Sequence, residues 1–128
     1  MTVLIDSWTW IEYWKGGPHS RQAADHIDGS ETAIVSTVNL AETLYWVLRH
    51  YNELTMEEKK GTIAKRCFLI PLDVKIAIDA AKTKKKTKLG LADSIILATA
   101  KVENASIVTG DPDFRGLNNV SYIGPIAD

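Results

Sequence analysis

The sequence predicts an α/β fold in which helices cover both faces of a mainly parallel sheet. Short β-branched and apolar runs alternate with helical patterns along the whole chain, which is typical of right-handed βαβ units. Acidic residues also stand where apolar segments begin or end, at Asp6, Glu42, Asp93 and Asp111. Open α/β sheets bind ligands at the carboxyl ends of their strands, so these acids indicate a site at one edge of the sheet.

Five short apolar runs are the predicted strands, at residues 2–5, 32–35, 68–70, 106–109 and 120–123. Helical patterns fill the segments between them, at residues 8–14, 20–28, from Ser36 or Asn39 to 51, 56–66, from 74 into the lysine run 82–88, and 91–103. Ser20 and Thr55 are the predicted caps of the second and fourth helices. A length of 128 residues fits one domain, residues 1–128.

Three helical stripes are predicted to face the core, because their apolar residues recur at helical spacing. The members are Leu40, Leu44, Val47, Leu48 and Tyr51 in the third helix, Val74, Ala77, Ile78 and Ala81 in the fifth, and Ala92, Ile95, Ile96, Thr99 and Val102 in the sixth.

Composition excludes several classes of protein. A net charge of -1 gives no global reason to expect nucleic acid, so any such affinity must come from local patches. The only cysteine, Cys67, cannot form an internal disulfide, and three histidines provide no Cys/His spacing for zinc. The first apolar run is too short for a signal peptide and no run can span a bilayer. We therefore expect a protein of the reducing cytoplasm with no membrane contact.

Each acid has an ordinary structural explanation when it is taken alone. Asp6 could cap the first helix, and Asp93 could be a first-turn acid. Glu42 could complete a capping box with Asn39 or simply face solvent. Aspartates around Pro112 are common in turns.

The acids become informative when they are taken together. Asp6 and Asp111 both follow strands that end at the same sheet edge, and Glu42 and Asp93 can reach that edge from helix starts. Two like charges 4 Å apart repel by roughly 4 kcal/mol at an effective dielectric near 20, so ionised carboxylates sharing a cleft need compensation. An all-oxygen site suits Mg²⁺ or Mn²⁺. Phosphodiester hydrolysis is the chemistry that such a site favours.

Four motifs in order resemble those of PIN-domain nucleases, most closely the VapC-type toxins: Val3-Leu4-Ile5-Asp6-Ser7, Asn39-Leu40-Ala41-Glu42, the segment 90–100 around Asp93, and Thr109-Gly110-Asp111-Pro112-Asp113-Phe114. The resemblance covers essentially the full chain. It implies a three-layer α/β/α fold, a magnesium- or manganese-dependent endoribonuclease, a homodimer, and inhibition by a cognate antitoxin protein.

The resemblance also implies site residues. Asp6, Glu42 and Asp93 match the family's first three acids, and the fourth is Asp111, with Asp113 as the alternative. In this scheme Asp6, Asp93 and Asp111 hold one or two ions, while Glu42 is a further ligand or orients the attacking water. The implied product carries a 5′-phosphate.

Three polar residues are candidates for supporting roles. Thr109 could hydrogen-bond an acid or a metal-bound water, and Ser7 or Asn39 could orient carboxylates.

Two surfaces are candidates for partners. Lys84, Lys85, Lys86 and Lys88 precede Asp93 and could form a basic rim for RNA, although a solvated helix end explains them equally well. Arg49 is a secondary phosphate candidate. Trp46 and the Trp8 to Trp14 helix are candidates for a dimer or antitoxin surface.

Two other functions remain open at this point. A receiver-like phosphoacceptor signalling domain would use Asp73 as its acceptor, but such a domain would also need an acidic pair after the first strand. A catalytically inert binding module with the same fold is the second alternative.

Overall fold

Five parallel strands form the middle layer of the computed structural model, which describes residues 1–126. They are β1 (Thr2–Ile5), β2 (Thr32–Ser36), β3 (Phe68–Ile70), β4 (Ser106–Thr109) and β5 (Val120–Tyr122). Their order across the sheet is β3-β2-β1-β4-β5. The predicted parallel five-stranded sheet is confirmed, with β1 at its centre.

The strand register brings two of the acids to one edge. Leu4 of β1 pairs with Ile34 of β2 on one side and with Ile107 of β4 on the other. Because the three strands are parallel and in step, the chain leaves β1 at Asp6 and β4 just beyond Thr109 on the same side of the sheet.

Six α-helices and one short 3₁₀ helix connect the strands. They are α1 (Ser7–Lys15), α2 (Ser20–Ile27), α3 (Thr37–His50), α4 (Glu53–Arg66), α5 (Val74–Thr87) and α6 (Leu91–Val102), with the 3₁₀ turn at Pro112–Phe114. The predicted helices all exist, but two caps were wrong. His19 precedes α2, and Asn52 caps α4 by accepting the Thr55 N–H, because α4 begins one turn earlier than predicted.

The core has two sides, which makes the fold three-layered. Successive residues of a strand point to opposite faces. Val3 and Ile5 accordingly pack with Trp10 of α1 on one face, whereas Leu4 packs with Ile96 of α6 on the other. The predicted α/β/α arrangement is confirmed.

The core stripe predicted for α3 was partly wrong. Its buried residues are Asn39, Thr43 and Val47, whereas Leu48 is 41% exposed and Tyr51 is 57% exposed. The two polar side chains are buried because hydrogen bonds satisfy them: Asn39 donates to Asp6, and the Thr43 hydroxyl bonds to the Asn39 carbonyl. Apolar periodicity cannot detect this, and it leaves an apolar strip of α3 at the surface.

The stripe predicted for α5 was also wrong. Ile76 and Ala80 are the buried residues and pack with Ile95 of α6, whereas Val74 is 75% exposed and Ile78 is 53% exposed. The helix has apolar residues on two sides. The side that carries Ile76 and Ala80 is the one that packs against α6.

No helix among residues 1–126 combines the length and the hydropathy that crossing a bilayer requires.

Two glycines let the last segment cross the end of β4. The Ile123 N–H donates to the Thr109 carbonyl at 2.8 Å, and a Cβ on Gly124 would overlap the Gly110 backbone. The Trp8 indole covers the other side of Gly110, where a Cβ would overlap its ring. The turn that follows Thr109 is therefore enclosed from both sides.

We expect Gly124→Ala to destabilise the protein by about 1–3 kcal/mol, because the added methyl must displace backbone rather than a flexible side chain. Gly61→Ala is the matched control: it lies inside α4 with open space around it, so the same change should stabilise by about 0.5–1 kcal/mol. Urea unfolding of both variants measures the difference. If both substitutions changed the free energy of unfolding equally, the close approach of Gly124 to Gly110 would be contradicted.

Candidate metal centre

Asp6 occupies the junction between β1 and α1, and it is 5% exposed. Its Oδ2 accepts a hydrogen bond from Thr109 Oγ1 at 2.7 Å, and its Oδ1 accepts one from Asn39 Nδ2 at 2.9 Å. It stands at the cap position of α1, yet its side chain makes no capping hydrogen bond. The carboxylate is directed into a polar network rather than onto the helix.

Asn39 joins this network to the start of α3. Its Oδ1 accepts the Ser36 N–H at 3.4 Å while Ser36 Oγ accepts the Val38 N–H at 3.1 Å, which together form a capping box. Its Nδ2 donates to Asp6 and to Ser7 Oγ, both at 2.9 Å. The capping box considered between Asn39 and Glu42 does not form, because Ser36 is the partner. One amide thus fixes the helix start and the buried carboxylate together.

Glu42 lies one turn beyond Asn39 on the exposed side of α3. Ser7 Oγ donates to Glu42 Oε1 at 2.8 Å, so a neutral hydroxyl holds this carboxylate. Glu42 therefore ends a chain of hydrogen bonds that starts at Asp6 and passes through Asn39 and Ser7.

A second group of carboxylates comes from α6 and the 3₁₀ turn. Asp93, in the first turn of α6, has an oxygen within 4.8 Å of oxygens from both Asp111 and Asp113. Asp111 caps the 3₁₀ turn by accepting the Asp113 N–H at 3.0 Å, and its own N–H donates to Thr109 Oγ1 at 3.0 Å. The Thr109 hydroxyl therefore links Asp111 to Asp6.

The closest trio differs from the one that the sequence favoured. Sequence reasoning grouped Asp6, Asp93 and Asp111 as direct ligands, whereas the three nearest carboxylates are Asp93, Asp111 and Asp113. Asp6 is not in this trio; it is buried and accepts a hydrogen bond from Thr109. Asp111 and Asp113 each have an oxygen within 4.8 Å of an Asp93 oxygen. Both candidates for the fourth acid therefore lie beside Asp93.

The electrostatics of the cluster are unfavourable without a cation. The pKa of Asp6 is raised from 3.8 to about 6, chiefly by burial and to a smaller extent by the Glu42 carboxylate, and this rise outweighs the lowering by hydrogen bonds, including those from Thr109 and Asn39. Burial also raises the pKa of Asp93 to about 6, reinforced by repulsion from Asp111, Asp113 and Glu42. No lysine or arginine within residues 1–126 forms an ion pair with these acids. Hard oxygen donors with excess negative charge fit a divalent ion such as Mg²⁺ or Mn²⁺.

The predicted cationic residues are spread over two places. Lys84, Lys85 and Lys86 lie in the last turn of α5 and Lys88 follows it; the Lys84 ammonium donates to the Leu89 carbonyl at 3.0 Å. Gly90, just beyond, lies beside the Asp93 carboxylate. Arg49 is on α3 instead, with its guanidinium 5.8 Å from the centre of the Tyr45 ring.

Sequence reasoning missed two contributors to the site. Trp8 and Gly124 enclose Gly110, which separates Thr109 from Asp111. Gly110 and Gly124 can be recognised as a close crossing only when their two segments are known to be neighbours in the fold.

We expect Asp93→Asn to raise the melting temperature of the metal-free protein at neutral pH. The folded protein holds the Asp93 proton more tightly than the unfolded chain, so stability falls as pH rises from about 4 through 6, and an amide removes that loss. Thermal unfolding in EDTA at pH 5 and pH 7.5 measures this. The exposed Asp25→Asn is the control and should change little; a destabilised Asp93→Asn at pH 7.5 would contradict the repulsion.

Metal affinity should fall at acid pH, because the cation competes with protons that Asp6 and Asp93 take up near pH 6. We expect Mn²⁺ to bind at least about tenfold more weakly at pH 5 than at pH 7.5. If one proton must leave before the ion binds, the affinity falls about tenfold for each pH unit below the pKa of that acid. Isothermal titration calorimetry in two buffers would also detect the released protons. An affinity independent of pH over this range would show that neither acid contributes.

Known proteins can now be compared with this chain. The family model for the PIN domain matches residues 3–119. No curated protein sequence matches the chain at a significant level.

Several solved structures share the fold. A toxin-antitoxin complex from Klebsiella pneumoniae superposes with a TM-score of 0.80 at 23% identity, covering 97% of this chain and 99% of the other. VapC20 of Mycobacterium tuberculosis, described as a Sarcin-Ricin loop cleaving toxin, gives 0.77 at 12% identity, covering 96% and 99%. VapBC2 from Rickettsia felis, bound to a DNA fragment from its promoter, gives 0.73 at 19% identity, covering 94% and 96%. Because the family model spans nearly the whole chain and the topology agrees with these structures, the chain belongs to the PIN-domain family.

Proposed function

We propose that this protein is a metal-dependent endoribonuclease that hydrolyses RNA phosphodiester bonds, and that it is the toxin of a toxin-antitoxin pair. The observation that carries the proposal is the close approach of Asp93, Asp111 and Asp113, with Asp6 and Glu42 joined to them through Thr109 and Ser7. Like charges are assembled here at a cost to stability, which indicates a bound cation. The full-length match to the PIN domain supports the same chemistry.

Mg²⁺ or Mn²⁺ is the proposed cofactor, held by Asp93, Asp111 and Asp6, with Glu42 and Asp113 as further candidate ligands. When bound, such an ion lowers the pKa of a coordinated water and offsets negative charge that develops on a phosphate. The side chains present are all oxygen donors, as these ions prefer.

The residues of this chain have separate roles in the proposed reaction. Asn39 and Thr109 fix the Asp6 carboxylate from two sides, so its orientation costs nothing when substrate arrives. Ser7 occupies Oε1 of Glu42, which leaves Oε2 to accept a proton from an attacking water. Water attack would leave a 5′-phosphate on the product.

RNA must approach an acidic site on a chain with a net charge of -1. We assign this task to Lys84, Lys85, Lys86 and Lys88 at the end of α5, with Arg49 as a secondary contact. They supply the local positive charge that phosphates require, so RNA affinity should fall with added salt.

Exposed apolar side chains on α3, on α4 and between them are the proposed antitoxin surface; the Trp8 to Trp14 helix is not part of it, because Trp10 is fully buried in the core. Tyr45, Leu48, Tyr51 and Leu54 are all exposed, and Trp46 stacks on His50 with ring centres 4.5 Å apart. Apolar area of this kind marks protein partners. The similar structures include toxin-antitoxin complexes, which supports an antitoxin as the occupant.

A homodimer is proposed to use a different surface. β3 is a short edge strand whose Phe68 is exposed, and Val74 and Ile78 expose a second apolar series on α5. Edge strands and apolar helix faces are regularly covered by a second chain. The cytoplasm remains the proposed compartment, in keeping with the free thiol of Cys67.

One specific observation bears on the signalling alternative. Asp73 accepts the Ile76 N–H at 2.9 Å and caps α5, so it has a structural role apart from the carboxylate cluster. The inert binding module is an outcome of the experiment below rather than a separate proposal.

We expect the purified protein to cleave single-stranded or structured RNA with Mg²⁺ or Mn²⁺ and not with EDTA. Asp6→Asn and Asp93→Asn should each lower the cleavage rate at least about a hundredfold, since each removes a charge from the proposed ion site. Asp25→Asn, an exposed aspartate on α2, is the matched control. Folded, metal-binding protein that cleaves no RNA across a broad panel would favour the inert module.

Partner surfaces can be separated by single substitutions. Trp46→Ala and Leu48→Ala should weaken binding of a co-expressed antitoxin by about tenfold or more, as apolar residues at the centre of an interface do. Ile78→Ser should instead shift the self-association equilibrium measured by analytical ultracentrifugation. Unchanged antitoxin affinity after Trp46→Ala would remove that residue from the antitoxin surface.

A further inference from the structure

A cavity of about 440 Å³ lies between α5, α6 and the start of β5. Its walls include Lys82 and Lys86 of α5, Lys101 of α6, and Asn118 and Asn119 of the turn before β5. This volume is within the range of pockets that hold small ligands.

The cavity is at the opposite edge of the sheet from the carboxylates. Asn119 accepts the Ile107 N–H at 2.8 Å, at the starts of β4 and β5, whereas Asp6 and Asp111 follow the ends of their strands. Lys101 follows Asp93 by eight residues on α6, about 12 Å along the helix axis. The two places are connected by α6, and they share Lys86, which lines the cavity and is also one of the lysines assigned to RNA at the carboxylates.

The charge of the cavity is positive. Lys82 and Lys86 are one helical turn apart, so both ammonium groups lie on the same side of α5. Asp79 is the one carboxylate among the described lining residues, and none of the three lysines forms an ion pair within residues 1–126. Three lysines and one aspartate give the lining an excess of positive charge, which attracts an anion such as phosphate.

The rest of the lining is apolar or neutral and hydrogen-bonding. Leu97 and Leu117, which are half-buried, provide an aliphatic wall, and the two asparagines provide amide donors and acceptors. A flat heterocycle can pack against aliphatic side chains while amides bond to its edge, as asparagine does with nucleobases. The cavity therefore combines positive charge that attracts a phosphate with an apolar wall against which a base can pack.

We propose that this cavity binds one nucleotide of the RNA, away from the cleaved bond, with its phosphate at Lys82, Lys86 and Lys101 and its base beside Leu97 and Leu117. The RNA source of the nucleotide rests on the proposed ribonuclease function, whereas the nucleotide chemistry does not. A strand with stacked spacing of about 3.4 Å needs at least about four nucleotides to cover the distance from the carboxylates. Substrates shorter than this should bind at only one of the two places.

The test measures binding without cleavage, in EDTA. Adenosine 5′-monophosphate, inorganic phosphate and a ten-nucleotide single-stranded RNA are titrated into the isotope-labelled protein, and amide shifts are followed at Leu97, Ile107 and Asn119. We expect the monophosphate to shift these amides and to bind at least about tenfold more tightly than phosphate. The double variant Lys82→Glu/Lys101→Glu, which leaves the lysines assigned to the carboxylate site intact, should weaken monophosphate and RNA binding at least about tenfold.

Lys65→Ala, an exposed lysine of α4, is the matched control and should bind the monophosphate as the wild type does. Equal affinity for monophosphate and phosphate, or shifts confined to other residues, would overturn the proposal. Monophosphate binding without RNA binding at the cavity would overturn the RNA source and leave a free nucleotide as the ligand. Cleavage with Mg²⁺ is measured separately. Absence of cleavage would count against the ribonuclease proposal, whereas absence of monophosphate binding in EDTA would count against the cavity proposal.

Discussion

The pair of hydrogen bonds that Asp6 receives from Asn39 and Thr109 holds the site together. Asp6 follows β1, Asn39 begins α3 after β2, and Thr109 ends β4, so this one carboxylate joins three neighbouring strands. A buried charge is costly unless hydrogen bonds satisfy it, and here each oxygen has a donor. The position of α3 follows from this arrangement, because Asn39 must face inward, and that inward rotation leaves Leu48 and Tyr51 at the surface.

Stability and function compete at this edge of the sheet. Burial raises the pKa values of Asp6 and Asp93 most, and repulsion from Asp111, Asp113 and Glu42 adds to the rise at Asp93. The fold opposes the repulsion with rigid supports rather than with lysine or arginine: the capping box of α3, the 3₁₀ turn, and the crossing of Gly124 over Gly110. In the proposed function, a bound cation would offset this repulsion.

The positions of residues that directly follow strands were predicted well from the sequence. Asp6 and Asp111 come together because parallel strands in step end at one edge, and the order of elements was sufficient to expect it. Prediction from the sequence failed where polar residues replace apolar ones in the core or where a helix has two apolar sides. Asn39 and Thr43 are buried through hydrogen bonds that no periodicity encodes, and Ile76 rather than Ile78 packs on α6 because of the neighbouring helix. The cavity next to Lys82 and Lys101 was unpredictable for a similar reason, since α5 and α6 must first be placed side by side.

The proposed function requires the carboxylates that precede α1, lie on α3 and α6, and belong to the 3₁₀ turn to act as one ion site. Crystals grown with Mn²⁺ and measured at the manganese absorption edge test this most directly, because anomalous scattering locates the ion without assumption. We expect a peak bounded by Asp93 and Asp111, on the side of Asp6, that disappears in crystals of Asp93→Asn. Saturating Mn²⁺ with no peak at these carboxylates, or with a peak only elsewhere on the protein, would contradict the central claim.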